Sequence, residues 1–336
     1  FAAPWLLGLV NATPAVVAEA LPFLRVQFLF SGGMLVFFML GGALRSAGDA
    51  KTPMQFGILL TALNLIFNLI LIPKLGTVGA AIGQSLAAGS LAVYAVWRLI
   101  VGGWVVRFPR GGPYGPDWEI IKSLFRLGLP TGVQGIAMNI GGVLMLSFIG
   151  GLAQSAEAQA AFAVSYTELF SLVTWSSVGL MGAAAAVAGQ NLGAKQPDRA
   201  RDSVFVAARF GLALAGGLGL LYFFIPRLLL GIFGMRDPVV VDLGVHLLRV
   251  LAFSGLFITV ALTFTGGLQG AGDTKSPLYI SIFSQVIVPV GICTAMTTFG
   301  TLQPIHIWLA ILAGHTTRCL LSVGTFARGR WRTITV

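Results

Sequence analysis

Glu168 is the residue with the clearest chemical potential in this chain. It stands in the apolar run "AFAVSYTELFSLVTW", roughly midway along a stretch long enough to cross a bilayer. A carboxylate at that depth costs ~2.5 kcal/mol or more on insertion scales, so it normally faces a protein interior and works there. The chemistry open to it is reversible binding of a cation, a proton included. A hydrogen bond to a neighbouring helix is the structural alternative. Asn64 and Asn68 lie one helical turn apart in "NLIFNLILI" and share a face. With Gln84, Gln134 and Asn139 they put polar atoms inside helical bundles. Such atoms either line a cavity or join helices through hydrogen bonds of ~0.6–2 kcal/mol. His246, His306 and His315 could relay protons, but they are not spaced as metal ligands.

A second polar feature occurs twice. "GGALRSAGDAKTP" places Gly48, Asp49 and Lys51 behind one apolar run, and "GGLQGAGDTKSP" places Gly272, Asp273 and Lys275 behind another. The pattern hints at a phosphate-binding loop. That loop needs Gly directly before Lys, after a strand. Here one residue separates Asp from Lys, and a helix precedes. The reading that fits is a tight corner in which Gly permits the helix exit. The Asp would cap backbone N–H groups or meet the Lys. No nucleophile–base pair, nucleotide motif or metal-ligand spacing is present. No covalent catalysis, no metal and no cofactor are therefore expected.

Composition sets the stage for these residues. Hydrophobic residues make up 56% and charged ones 10%, and the mean hydropathy is +0.89. Soluble domains carry about 25% charged residues. Apolar runs of 20 residues or more suit membrane helices, whereas barrel strands are ~10-residue alternating segments. The expected class is all-α, a polytopic membrane helix bundle. The net charge of +10 does not point to nucleic acid, because Lys and Arg sit in short gaps between apolar runs, without interleaved aromatics. Cys293 and Cys319 both fall in apolar runs, which argues against a disulfide framework.

Nine membrane segments are expected, near 14–45, 52–73, 77–101, 128–151, 156–189, 202–234, 238–268, 276–299 and 303–327, with a helical stub at 1–12. Pro226 and Pro289 predict kinks inside their runs. Residues 102–127 read as a linker, rich in Gly and Pro and then amphipathic from Trp118, which suits an interfacial helix. The gaps after 45, 101, 189 and 268, with a C-terminal tail counted from Arg318, hold 16 Lys and Arg, against three in the alternate gaps. The basic set is expected on the cytoplasmic side of the cell (inner) membrane, with the C-terminus there too. Arg25 and Arg249 lie within segments, roughly 16 Å along the helix axis from their starts. They call for an acidic or carbonyl partner inside the bundle, such as Glu19, Asp242 or Glu168.

Arg25 and Arg249 are also repeat mates. Shifting the chain by 224 residues aligns Pro14–Pro53 with Pro238–Pro277 without a gap, and 14 of 40 positions are identical. Both copies pass through a loop on the same side, so the repeat is parallel, a known transporter design. Two pseudo-symmetric lobes follow: 1–101 as the remainder of the first, 102–127 as the linker, 128–328 as a six-helix second lobe, and 329–336 as a tail. The register predicts about three further helices before residue 1, hence nine of an expected twelve.

The paired corners, with "GQNLGAKQPDRAR" at 189–201 and "LFRLGLPTGVQ" at 124–134, resemble the signature stretches of the multidrug and toxic compound extrusion (MATE) transporters. The resemblance runs in order along the whole chain. It implies two six-helix lobes and an antiporter that exports small amphipathic or cationic compounds against inward flow of H⁺ or Na⁺. It also implies small-molecule and bilayer partners, no nucleic acid, and a monomer. The family often carries a Glu at the position of Glu168. Acidic residues that some members use in the seventh and tenth helices match Met138 and Ile258 here, both apolar. The alternative function is a flippase of lipid-linked saccharides from the wider superfamily, which uses several basic residues in a central cavity.

Overall fold

The computed structural model describes Pro4, residues 14–108, Gly111 and residues 115–333. The stub expected at 1–12 lies outside these residues except for Pro4. Every regular element among the described residues is helical. The chain forms two compact units, Phe1–Tyr114 and Gly115–Val336.

In the first unit, α1 (Pro14–Leu29) turns by 50° at Phe30–Ser31 into α2 (Gly32–Ser46). Helix α3 (Lys51–Val101) would be roughly 76 Å long if straight, over twice the ~30 Å hydrocarbon core. It is not straight. Gly76 adopts φ 58° and ψ −137°, a conformation that glycine reaches without a Cβ penalty. Beyond it, Gly79 packs on the Leu71 carbonyl and Gly83 on the Asn68 side chain, so the two arms run antiparallel. Seven described helices are long and apolar enough to cross a membrane, and the bent α1–α2 pair makes eight. The fold-back lets α3 supply two crossings, which accounts for the nine segments read from the sequence. Exposed Leu29, Met39, Leu69 and Val93 suit a lipid-facing surface.

The second unit contains α4 (Trp118–Gly150), α5 (Ser155–Phe162), a π-helical segment (Ala163–Leu169), α6 (Phe170–Gly193), α7 (Pro197–Phe224), α8 (Pro226–Ile232) and α9 (Pro238–Gly270). It continues with α10 (Lys275–Ile282), a second π-helical segment (Phe283–Ile287), α11 (Val288–Phe299), α12 (Pro304–Ala327) and a 3₁₀ turn (Arg330–Thr333). Helix α9 is its centre and packs on α6, α7 and α12. Leu247, Leu248 and Leu251 of α9 are fully buried in one core with Phe170 and Trp308. Two glycines one turn apart allow the α9–α6 approach: Gly266 meets the Met181 carbonyl and Gly270 the Ala185 carbonyl. Small residues at that spacing let helix backbones touch, which is how bilayer helices gain packing energy.

One expectation differs from the structure here. The amphipathic stretch from Trp118 is not a separate interfacial helix but the first turns of α4, capped by Asp117, whose carboxylate accepts from the N–H groups of Glu119 and Ile120. Gly128 and Pro130 stand at the join with the apolar run, but the helix continues through both. Within the tail segment, Trp331 is buried, stacks on Phe326 at 4.6 Å, and donates its indole N–H to the Phe326 carbonyl at 2.8 Å. Pro226 interrupts its run as expected and opens α8.

The repeated corners match atom for atom. Gly48 has φ 90° and Gly272 φ 85°. The Asp49 N–H reaches the Leu44 carbonyl at 2.9 Å, and the Asp273 N–H reaches the Leu268 carbonyl at 2.9 Å. The glycine N–H groups bond Arg45 and Gln269, completing a Schellman closure in both. Each Asp then caps the next helix, accepting the N–H of Thr52 at 2.9 Å or of Ser276 at 3.0 Å. The capping role of Asp is therefore the one realised. The Thr52 hydroxyl, at 2.6 Å, and its N–H hold the Asp49 carboxyl below its ordinary 3.8. A depressed carboxyl stabilises above that value, and the effect is lost as pH falls through the lowered one. Protection of the Thr52 amide, measured relative to its intrinsic exchange rate at each pH, should therefore fall only below about pH 3.8 in the parent, and should already be low at neutral pH in Asp49→Ala.

A similar closure ends α6, where the Gln196 N–H meets the Asn191 carbonyl at 2.8 Å, but Lys195 occupies the left-handed position at φ 58°. A side chain there costs ~1–2 kcal/mol. Lys195 is exposed, so Lys195→Gly should raise stability by about 1 kcal/mol, read from the thermal midpoint in detergent.

Candidate functional site

The residues singled out from the sequence fall into three settings. Asn64 and Asn68 bond each other at 3.0 Å within α3, half-buried, with Asn68 against Gly83. Gln134 is 5% exposed and joins three elements of the second unit: it donates to the Ser281 hydroxyl at 2.7 Å and accepts from Gln269 at 3.3 Å. Asn139 is exposed and bonds back to the Gly135 carbonyl at 2.9 Å. Glu168 is exposed on the second unit, and no ion pair or hydrogen bond to its carboxylate occurs among the described residues.

Glu168 sits in the π-helical segment Ala163–Leu169. A π turn leaves carbonyls without their usual helical partners, and side chains satisfy them here. The Ser171 hydroxyl donates to the Glu168 carbonyl at 2.6 Å, and the Tyr222 hydroxyl to the Leu169 carbonyl at 2.6 Å. The second π segment has a plain cause. Pro289 has no N–H to give the carbonyl of Gln285, four residues back. Two glycines accept the bulge: Gly141 would meet the Gln285 carbonyl at 2.7 Å if it had a Cβ, and Gly314 the Ser284 carbonyl at 2.6 Å. π bulges are frequent at functional sites.

The two π segments meet at one interior cavity of about 100 Å³. Tyr166 lines it from the first and Gln285 from the second; Met138, Pro289, Gly314 and His315 also line it, beside the apolar side chains of Met145, Phe162 and Ile311. His315 is 3% exposed and stacks on Phe170 at 5.7 Å. One turn on, Arg318 is 1% exposed and reaches the Met138 sulfur at 3.7 Å. Sequence reading counted Arg318 with the tail and missed it. The signal was present: nine more helical residues follow before Arg328. Met138, where the resemblance puts an acid in some family members, is the residue that meets Arg318.

Arg25 and Arg249 do not find the acidic partners expected for them. Arg249 is exposed and lies over the Phe223 ring at 5.8 Å, while Asp242 faces Arg227 at 3.9 Å and His246 at 3.6 Å. Arg25 is exposed, with no ion pair among the described residues. Both side chains are exposed, and neither pairs with a carboxylate among the described residues. His306 bonds the Gln303 N–H at 3.2 Å as part of a helix cap. The first unit holds a groove of about 790 Å³ lined by Val26, Phe30, Ile82, Leu86 and Val93, with Ser85 and Ser90 as its hydroxyls.

A family model described as MatE matches residues 1–70 and 130–298, so both copies of the corner fall inside it. The chain belongs to the MatE family. Members of this family are membrane transporters, not enzymes. Probable multidrug resistance protein NorM of Thermotoga maritima is 23% identical over 337 residues, covering 96% of this MatE chain and 70% of that protein. Multidrug resistance protein MdtK of Photorhabdus laumondii is 25% identical over 338 residues, covering 96% and 71%. An outward-facing multidrug resistance MATE family transporter of the MOP superfamily superposes with a TM-score of 0.86 at 21% identity, covering 96% of this chain and 71% of that one. A MOP superfamily transporter from Pyrococcus furiosus gives 0.88 at 21% identity, covering 99% and 75%. At these identities the structures speak for the MatE fold.

Proposed function

We propose that the protein is a secondary active antiporter of the cell (inner) membrane, with its C-terminus cytoplasmic, exporting small amphipathic or cationic compounds in exchange for H⁺ or Na⁺ by alternating access. The carrying observation is the MatE match across both copies of the repeated corner, alongside relatives described as multidrug resistance proteins. The chemistry is consistent. Glu168 offers an exposed carboxylate on a π turn, suited to binding and releasing a cation. The apolar groove of the first unit suits an amphipathic guest. Glu168 would couple; Gln134, by its bonds to Ser281 and Gln269, would hold α4 in place. Expression in cells stripped of their own exporters tests this reading. Accumulation of a fluorescent organic cation should fall, and an uncoupler should restore it. Unchanged accumulation, with export of a lipid-linked saccharide instead, would replace the reading with the flippase one.

A further inference from the structure

We propose that the cavity of the second unit lined by His315, Gln285 and Met138, with Arg318 behind Met138 and one helical turn from His315, binds a small monovalent anion. Arg318 lies 14 residues into the 24-residue α12, roughly 21 Å from one end and about 14 Å from the other. Snorkelling from that depth is blocked, because the side chain is 1% exposed. A guanidinium buried there needs a counter-charge, since an unpaired buried charge is strongly destabilising. No carboxylate supplies one among the described residues. The three ion pairs are Arg227–Asp242, His246–Asp242 and Arg332–Asp198, all elsewhere. The partner of the terminal nitrogen is the Met138 thioether, a weak acceptor, and the Nε of Arg318 has none.

The neighbouring groups have the same imbalance. His315 Nδ1 and Gln285 Nε2 are buried without partners, and both residues line the cavity. The Gln285 amide and the Arg318 guanidinium are donors without an oxygen acceptor, and His315 Nδ1 can donate to a bound anion in one of its tautomers. A cation is excluded by this donor set. A pyrophosphate group carries more charge than one guanidinium can offset. A halide, or a single small carboxylate, matches in charge and in size, since the cavity is about 100 Å³ and a water takes ~30 Å³. Both kinds of anion would bridge Arg318, on α12, to Gln285, on the second π segment, tying together the two elements that Gly314 brings into contact.

Thermal unfolding of the purified protein in detergent tests this, starting in sodium gluconate, a bulkier and weakly coordinating anion. Replacing gluconate by chloride, or in a second arm by acetate, at constant ionic strength should raise the midpoint saturably by roughly 5 °C in at least one arm. Chloride alone would assign the site to inorganic anions, and acetate alone to carboxylates. Arg318→Met should abolish the rise, yet unfold in gluconate no lower than the parent, because it removes an uncompensated buried charge. A merely structural Arg318 would instead give a destabilised variant and no anion dependence. If the variant does not fold, bromide in crystals of the parent should give an anomalous peak between Arg318 and His315. No rise in either arm, an equal rise in the variant, or no bromide peak would overturn the proposal.

Discussion

Glu168→Gln is expected to reduce ion-driven efflux by at least 100-fold while leaving the protein folded. The substitution keeps the side chain's size and its place on the π turn. It removes only the ability to carry and release a cation. The carboxylate makes no hydrogen bond or ion pair among the described residues, so no structural contact goes with it. The carbonyls freed by the π turn are held by Ser171 and Tyr222, which the substitution does not touch. Efflux and size-exclusion profile should therefore separate. The matching control is Tyr222→Phe, which loses the 2.6 Å bond to the Leu169 carbonyl and should lower stability by about 1 kcal/mol. Retained efflux in Glu168→Gln would remove this residue from the coupling step.

The largest expected effect on folding comes from Gly266→Leu. Its Cβ would fall on the Met181 carbonyl, and backbone on both sides cannot yield as a flexible side chain can. Ordinary overpacking costs ~1–3 kcal/mol. Here helix α9 would have to leave α6 along a contact that also includes Gly270 and Ala185, so the cost should exceed that range. The expected result is loss of monodisperse protein in detergent. Gly217→Leu, with nothing within 4 Å of its Cβ position, should behave like the parent.

How far these features were legible follows from what kind of signal each leaves. The helical class and the segments are written in long apolar runs, and the corners in a Gly-Asp pattern that must recur because two identical Schellman closures need glycine at Gly48 and Gly272. Gln134 was visible as a polar residue in an apolar run, but its partners, 135 and 147 residues away, were not. The π segment at Ala163–Leu169 leaves little local mark, since one freed carbonyl is satisfied by the nearby Ser171 but the other by a tyrosine 53 residues on. The segment at Phe283–Ile287 left one, the proline read only as a kink. Arg318 was misplaced because charges near the end of a run are normally loop charges. It meets Met138 of α4, a contact across 180 residues that periodicity alone does not reveal. Arg25 and Arg249 failed in the opposite direction, because helix position was taken as depth and side-chain reach was neglected.

The central claim is that export is coupled to inward cation flow. The most direct test is release of a fluorescent organic cation from proteoliposomes containing the protein, with a pH gradient and a Na⁺ gradient imposed in separate experiments. The account predicts release driven by one of the two gradients and lost in Glu168→Gln. No release under either gradient, from protein shown to be folded and inserted, would contradict it.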